Sequence, residues 1–197
     1  MVKLYLSYIR PEEDQTEAGR RLLETAWSAF SPEPMPPVCR RAQGKPCFLD
    51  VPLHFSIAHS GRRVLCAVSD RPVGADVERL RVYNRQLEQR VLRPPELAEL
   101  SAAAGRTEAF FTLWTRKEAY LKLTGEGLSG LAACPVMPLA DGCLQAGGQC
   151  LHLYTQTDGE WVWSLCALSH TSPEVTHPEA DSFQDFGFVV AALNKAI

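Results

Sequence analysis

The chain has 197 residues, 46% of them hydrophobic and 22% charged, with a formal net charge of −3. That length holds one ordinary domain or two small packed halves. The acidic balance excludes a general nucleic-acid binder, which carries a clear basic excess, and no apolar run approaches the ~20 residues that a membrane helix needs.

Met1 to Arg10 shows no charged segment followed by a long apolar stretch and a small-residue cleavage site, so a cytoplasmic protein is expected. Leu4 to Ile9 alternates as a first strand. Glu12 to Phe30 carries Ala18, Leu22, Leu23, Ala26, Trp27 and Phe30 at helical spacing and predicts an amphipathic helix. Ser31 to Pro37 holds four prolines in seven residues and must be a loop. A short strand at Val38 to Arg41 leads into a turn at Gly44-Lys45-Pro46. Phe55 to Ala58 is a strand ending at His59-Ser60-Gly61. Val64 to Ser69 and Val73 to Glu78, joined by Asp70-Arg71-Pro72, predict an antiparallel hairpin.

Arg85 to Leu92 and Pro95 to Ala104 read as helices. Thr107 to Thr124 is the clearest helix, with Gly125 as its C-terminal stop. Short strands follow at Cys143 to Ala146, Gln149 to Thr155 and Val162 to Leu168. Beyond Ser169 the pattern assigns no element, and Phe183, Phe186 and Phe188 read as cover for the core. Strands and helices mix without a βαβ rhythm, which predicts an α+β fold. The seven cysteines, Cys39, Cys47, Cys66, Cys134, Cys143, Cys150 and Cys166, contain no C-x-x-C pair. They read as reduced, buried thiols acting as small hydrophobes.

The chemistry concentrates in two segments. In Val73-Gly74-Ala75-Asp76-Val77-Glu78, strand alternation puts Asp76 and Glu78 on one face and Ala75 and Val77 toward the core. Paired carboxylates repel unless a cation joins them. Mg²⁺ takes oxygen ligands and is commonly held by one or two carboxylates plus substrate phosphates. On the helix, Trp114, Glu118 and Lys122 lie four apart and form one stripe, with Glu118 and Lys122 in the favourable order for an ion pair. Taken alone, the first segment also reads as an acidic edge strand and the second as a surface salt bridge. Gly44-Lys45-Pro46 and Ile57-Ala58-His59-Ser60-Gly61 each present groups that can cradle a phosphate. The P-loop, H-E-x-x-H and G-x-S-x-G motifs do not occur, and His54, His59, His152, His170 and His177 lack metal-ligand spacing.

Taken in order, Gly44-Lys45-Pro46, His59-Ser60, Gly74-x-Asp76-x-Glu78, and Trp114-x-x-Lys117-Glu118-x-x-x-Lys122 with Gly125 resemble the phosphopantetheinyl transferases. The resemblance spans residues 20 to 170 and is to the surfactin-synthetase-activating type rather than the short, trimeric acyl-carrier-protein synthases. It implies two similar α+β halves fused as a monomeric pseudodimer, each a small antiparallel sheet packed with helices, with the active site in the cleft between them. The halves would be residues 1–73 and 74–170, the second with the metal site and signature helix, followed by a tail over 171–197. The family's Mg²⁺ carboxylates correspond to Asp76, Glu78 and Glu118, and its signature-helix lysine to Lys122. Contacts to coenzyme A fall on Arg20, Lys45, Pro46, His59, Ser60 and Lys117. Many relatives carry a serine just before the histidine, where this chain has Ala58.

The implied reaction is attack of a carrier-protein serine on the β-phosphate of coenzyme A, with 3′,5′-ADP leaving. Glu118 would serve as metal ligand and as base, directly or through a water, and Lys122 would offset charge on the phosphate oxygens. The partner would be an acyl or peptidyl carrier protein, with no nucleic acid or membrane involved. Arg79, Arg81, Arg85, Arg90 and Arg93 are candidates for a basic docking face or a solvated helix face. Two other readings fit the same residues: a Mg²⁺-dependent pyrophosphatase acting on coenzyme A, and a non-catalytic relative that only binds carriers or coenzyme A.

Overall fold

The computed structural model describes residues 2–40, 44–168 and 173–178. It is α+β, with small sheets packed against helices. The first half of the chain runs β1 (Val2–Tyr8), α1 (Gln15–Ser28), β2 (Val38–Arg40), β3 (Pro46–Phe48), β4 (His54–Ser60) and β5 (Arg63–Ser69). Then come β6 (Val73–Arg79), α2 (Gln86–Val91), α3 (Pro94–Ala102) and α4 (Arg106–Thr124). A 3-10 turn over Gly127–Ala132 leads to β7 (Gly142–Ala146), β8 (Gln149–Thr157), β9 (Trp161–Ala167) and β10 (Glu174–Thr176).

Local chemistry sets the element ends. Asp14 caps α1 by accepting from Thr16 N at 2.7 Å and Glu17 N at 2.8 Å, while Glu17 Oε2 accepts from Asp14 N at 3.1 Å. The prolines after Phe30 keep the chain from continuing as helix. Gly125 ends α4 in the left-handed region at φ 84°, its N–H returning to Leu121 O.

Two four-stranded sheets form, in the orders β10-β1-β5-β4 and β6-β9-β8-β7. They stack face to face. Leu4, Leu6, Ala58, Leu65 and Ala67 of the first meet Val73, Ala75, Val77, Trp163 and Leu165 of the second. Helix α1 covers the outer face of the first sheet through Ala18, Leu22, Leu23 and Ala26. Helix α4 covers the outer face of the second through Phe111, Leu113 and Ala119. The layers therefore run helix, sheet, sheet, helix.

Three expectations are corrected. The hairpin between β5 and β6 does not form: β5 already has β1 on one edge and β4 on the other, so β6 crosses at Asp70-Arg71-Pro72 into the second sheet and pairs with β9. The hairpin in this region is β4–β5, turning at Gly61-Arg62, and it carries His59 and Ser60 inside the strand rather than beyond its end. Cys143 and Cys150 form a disulfide across β7 and β8, their Cα atoms 5.6 Å apart. The turn between these strands makes them diagonal neighbours: Cys143 faces His152 and Cys150 faces Gln145. The other five cysteines carry thiols.

Residues Glu174–Thr176, expected in the tail, form β10 and pair in parallel with Lys3, Leu4 and Tyr5 of β1. Phe183, Phe186 and Phe188 lie outside the described residues. Among the described residues no helix is long and apolar enough to cross a membrane.

Candidate functional site

The site forms where β6 crosses α4. Gly74 makes the crossing possible. A Cβ built there would stand 1.9 Å from Ala119 O and 2.4 Å from Leu123 N, so strand and helix backbones touch through the missing side chain. Since Val73, Ala75 and Val77 turn inward to the other sheet, Gly74, Asp76 and Glu78 face α4.

From the helix, the stripe of Trp114, Glu118 and Lys122 is half-buried, while Leu113, Thr115, Arg116, Lys117, Ala119 and Leu121 are buried. Lys122 Nζ donates to Asp76 Oδ1 at 2.7 Å. This corrects the expected Glu118–Lys122 ion pair: the lysine reaches across to the more deeply buried carboxylate. Burial pushes the Asp76 carboxyl up to about 7, against the pull of Lys122, with Glu118 and Glu78 adding to the rise. Burial also raises Glu118; Lys122 opposes that rise and Glu78 adds to it. Three carboxylates and one lysine thus share a single electrostatic neighbourhood.

The edges of the two sheets meet at this point. Ser56 Oγ of β4 accepts from Ala75 N of β6 at 3.0 Å. Ser60 Oγ accepts from Arg79 N at 3.2 Å and donates to Glu78 Oε2 at 2.7 Å. The first sheet therefore supplies a donor to a carboxylate carried by the second. Arg81 Nη1 donates to the same Oε2 at 2.8 Å. His59 is exposed beside Ser60, and local desolvation with the Lys122 charge holds its imidazolium below the ordinary range.

Lys45 reaches the cluster's rim. Its Nζ donates to Val73 O at 3.2 Å and Leu123 O at 3.0 Å, tying the β2–β3 hairpin to the start of β6 and the end of α4. Pro46 opens β3 opposite Arg40. Two candidates are not brought to this cluster. Arg20 sits on the exposed side of α1 in an i,i+4 pair with Glu24 at 2.9 Å. Lys117 is fully buried, with Nζ 2.8 Å from Glu96 Oε1. Its ammonium is therefore enclosed beside a carboxylate and away from the carboxylate cluster. Of the candidate docking arginines, Arg79 pairs with Glu160, Arg81 with Glu78, and Arg93 donates to Ala132 O.

Sequence reasoning missed the support beneath the carboxylates. Ser164 lies opposite Asp76 in the β6–β9 register, and its hydroxyl meets Thr115 Oγ1 at 2.7 Å and Thr155 Oγ1 at 2.9 Å. Arg116 Nε donates to Thr155 Oγ1 at 2.8 Å and its Nη1 to Ala140 O at 2.7 Å. This buried polar chain seats α4 on the second sheet. Nothing in local spacing marks it, because its members come from three separate elements.

The donor set suits a hard divalent cation: oxygen ligands whose mutual repulsion Lys122 only partly offsets. Among the described residues no three His, Cys, Asp or Glu side chains close into a ready-made metal cage. Mg²⁺ does not require one, because it keeps waters and takes substrate phosphate oxygens beside one or two carboxylates.

Comparison with known proteins gives a consistent family. Residues 72–177, more than half of the chain, match the 4′-phosphopantetheinyl transferase superfamily. The chain is 39% identical over 89 residues to the 4′-phosphopantetheinyl transferase Sfp of Bacillus subtilis (strain 168), covering 44% of this chain and 40% of that protein. It is 42% identical over 103 residues to psf-1 of Bacillus pumilus, covering 50% and 44%. With AcpT of Escherichia coli (strain K12) it shares 37% identity over 121 residues, covering 58% and 60%. The matched segment is thus 40% to 60% of the length of these curated relatives. Among solved structures, holo-[acyl-carrier-protein] synthase of Thermotoga maritima matches with a TM-score of 0.37 and 20% identity, over 49% of this chain and 61% of that one.

Proposed function

Because the chain belongs to the 4′-phosphopantetheinyl transferase superfamily, we propose that it transfers the 4′-phosphopantetheine arm of coenzyme A to a serine of an acyl or peptidyl carrier protein, in a Mg²⁺-dependent reaction that releases 3′,5′-ADP. The observation that carries this reading is the convergence of Asp76, Glu78, Glu118 and Lys122 at the β6–α4 crossing, inside the family-matched segment.

Phosphoryl transfer asks a protein mainly for positioning and charge neutralisation. Asp76, Glu78 and Glu118 would hold Mg²⁺, which when bound supplies charge neutralisation on the pyrophosphate and polarises the attacked phosphorus. Glu118, its carboxyl raised by burial, is suited to accept the proton of the carrier serine. Lys122 supplies an ammonium beside the phosphate oxygens. Lys45 and His59 lie on the rim, where they would grip the phosphates of the nucleotide and contribute binding energy remote from the reacting centre. Ser60, beside His59, holds Glu78 in place and lies within the same rim that would meet the nucleotide.

In this reading the two stacked sheets, each with an outer helix, are the halves of a monomeric pseudodimer in the cytoplasm, divided near Val73, and the cleft follows the β4–β6 seam. The test is intact mass spectrometry of an apo carrier protein incubated with this protein, coenzyme A and Mg²⁺, beside a chelated control. A gain of one phosphopantetheine unit that the chelator abolishes is the expected result. Cleavage of coenzyme A with no gain on acyl or peptidyl carriers would replace the transferase with a hydrolase. The absence of both cleavage and gain would overturn the catalytic reading.

A further inference from the structure

We propose that Cys39 and Cys47 are a redox-active pair that closes reversibly into a disulfide across β2 and β3. The two residues lie directly opposite each other in the antiparallel register, between the Val38–Phe48 and Arg40–Pro46 pairs. Opposite residues in such a ladder have Cα atoms ~4.5–5.5 Å apart, inside the ~4.4–6.8 Å span that a disulfide bridges. The two sulfurs stand 3.1 Å apart. Closure therefore needs an approach of about 1 Å and no rearrangement of the strands.

Position separates this pair from the other thiols. Cys39 and Cys47 are half-exposed, whereas Cys66, Cys134 and Cys166 are buried. Burial pushes Cys166 up to about 12, Cys134 to about 11 and Cys66 higher still. The thiolate is the reacting species, so those three are poor participants in exchange.

The step balances with a low-molecular-weight disulfide as oxidant. One cysteine loses its proton to solvent, and its thiolate attacks a sulfur of the small disulfide. A mixed disulfide forms and one small thiolate leaves. The second cysteine, likewise deprotonated, attacks the protein sulfur of that mixed disulfide. The Cys39–Cys47 bond forms and the second small thiolate departs. Two protein thiols are oxidised and one small disulfide is reduced to two thiols.

The pair sits on the strands that present Lys45, whose ammonium bonds Val73 O and Leu123 O. Locking β2 to β3 restricts how that tether moves. Any effect on coenzyme A rests on the reading of Lys45 as a phosphate contact; the redox chemistry does not.

The experiment equilibrates the full chain across a series of oxidised and reduced glutathione, quenches with acid, alkylates the thiols and maps the peptides by mass spectrometry. A linked Cys39–Cys47 peptide at the oxidising end is expected, with Cys66, Cys134 and Cys166 recovered alkylated. Both Cys39 and Cys47 recovered alkylated there, or each as a separate glutathione adduct, would overturn the proposal. In Cys39→Ser and Cys47→Ser the remaining cysteine should accumulate a glutathione adduct that the wild type resolves; no adduct in either counts against it. Calorimetry of coenzyme A binding then compares oxidised and reduced wild type. A changed Kd, missing in Cys39→Ser, supports coupling through Lys45. An unchanged Kd with the disulfide formed removes the coupling alone. No binding by either form removes the coenzyme A reading and leaves the redox pair standing on the peptide map.

Discussion

Among the carboxylates of the site, Asp76 is the most deeply buried, and burial carries it far from its ordinary state. It lies at the contact between two elements and relies on Lys122 for its one charged partner among the described residues. Lys122→Met should cost about 1–3 kcal/mol, the range for stranding a buried acceptor, and the loss is read from urea denaturation. The pH dependence has a definite sign. The folded carboxyl of the metal-free protein titrates at about 7, above its ordinary value of 3.8. Between those values the native state holds a proton that the unfolded chain has released. The stability this contributes is complete below the unfolded value and is lost as pH rises through about 7. Asp76→Asn cannot titrate, so its stability relative to wild type should rise from pH 5 to pH 8 in chelator. A relative stability that falls over that interval would refute the assignment. Spacing within one element is legible in sequence: i,i+2 on β6 and i,i+4 on α4 placed each pair on a common face. Partner choice is not, since Lys122 selects Asp76 over Glu118 only once strand and helix have packed.

At the scale of elements, the decisive contact is Gly74 against the backbone of α4. Gly74→Ala places a methyl group where only carbonyl and amide atoms lie, and neither can rotate away. Overpacking of this kind costs about 1–3 kcal/mol or more. The variant should show a lowered melting temperature and, on the proposed Mg²⁺ site, weakened metal binding by calorimetry, because Asp76 and Glu118 part as the helix lifts. A variant with wild-type melting and metal affinity would show that the close approach has no role in holding the site. The elements themselves were readable. The amphipathic pattern found α1, and Gly125 and the apolar run found α4, each within a few residues. Their pairing was not. Asp70-Arg71-Pro72 has the composition of a hairpin turn, yet the outcome depended on whether β5 had an open edge, and that was decided by the distant β1. The Cys143–Cys150 bridge was hidden for a similar reason, since cysteine spacing does not report strand register.

For the whole molecule, the shared core between the sheets sets the unfolding behaviour. Trp163 and Leu165 from one sheet pack with Leu4, Leu6 and Leu65 from the other, and Arg63 of β5 donates to Asp158 in the β8–β9 turn at 2.9 Å. Neither sheet can open without exposing that layer. Tryptophan fluorescence and far-ultraviolet circular dichroism should therefore report one coincident denaturant transition. Two separated transitions would mean that the halves are independently stable. The placement of β10 has its own outcome. The strand that flanks β1 comes from Glu174–Thr176, after the chain has passed through the entire second sheet. During synthesis the whole second sheet is made before β10, so the outer edge of β1 waits for that stretch of chain before this neighbour exists. Until then it is an open hydrogen-bonding template. Chains that end between Ala167 and Glu174 would thus carry the complete carboxylate cluster with an uncovered strand edge, and such products should be prone to self-association although the cluster itself is intact.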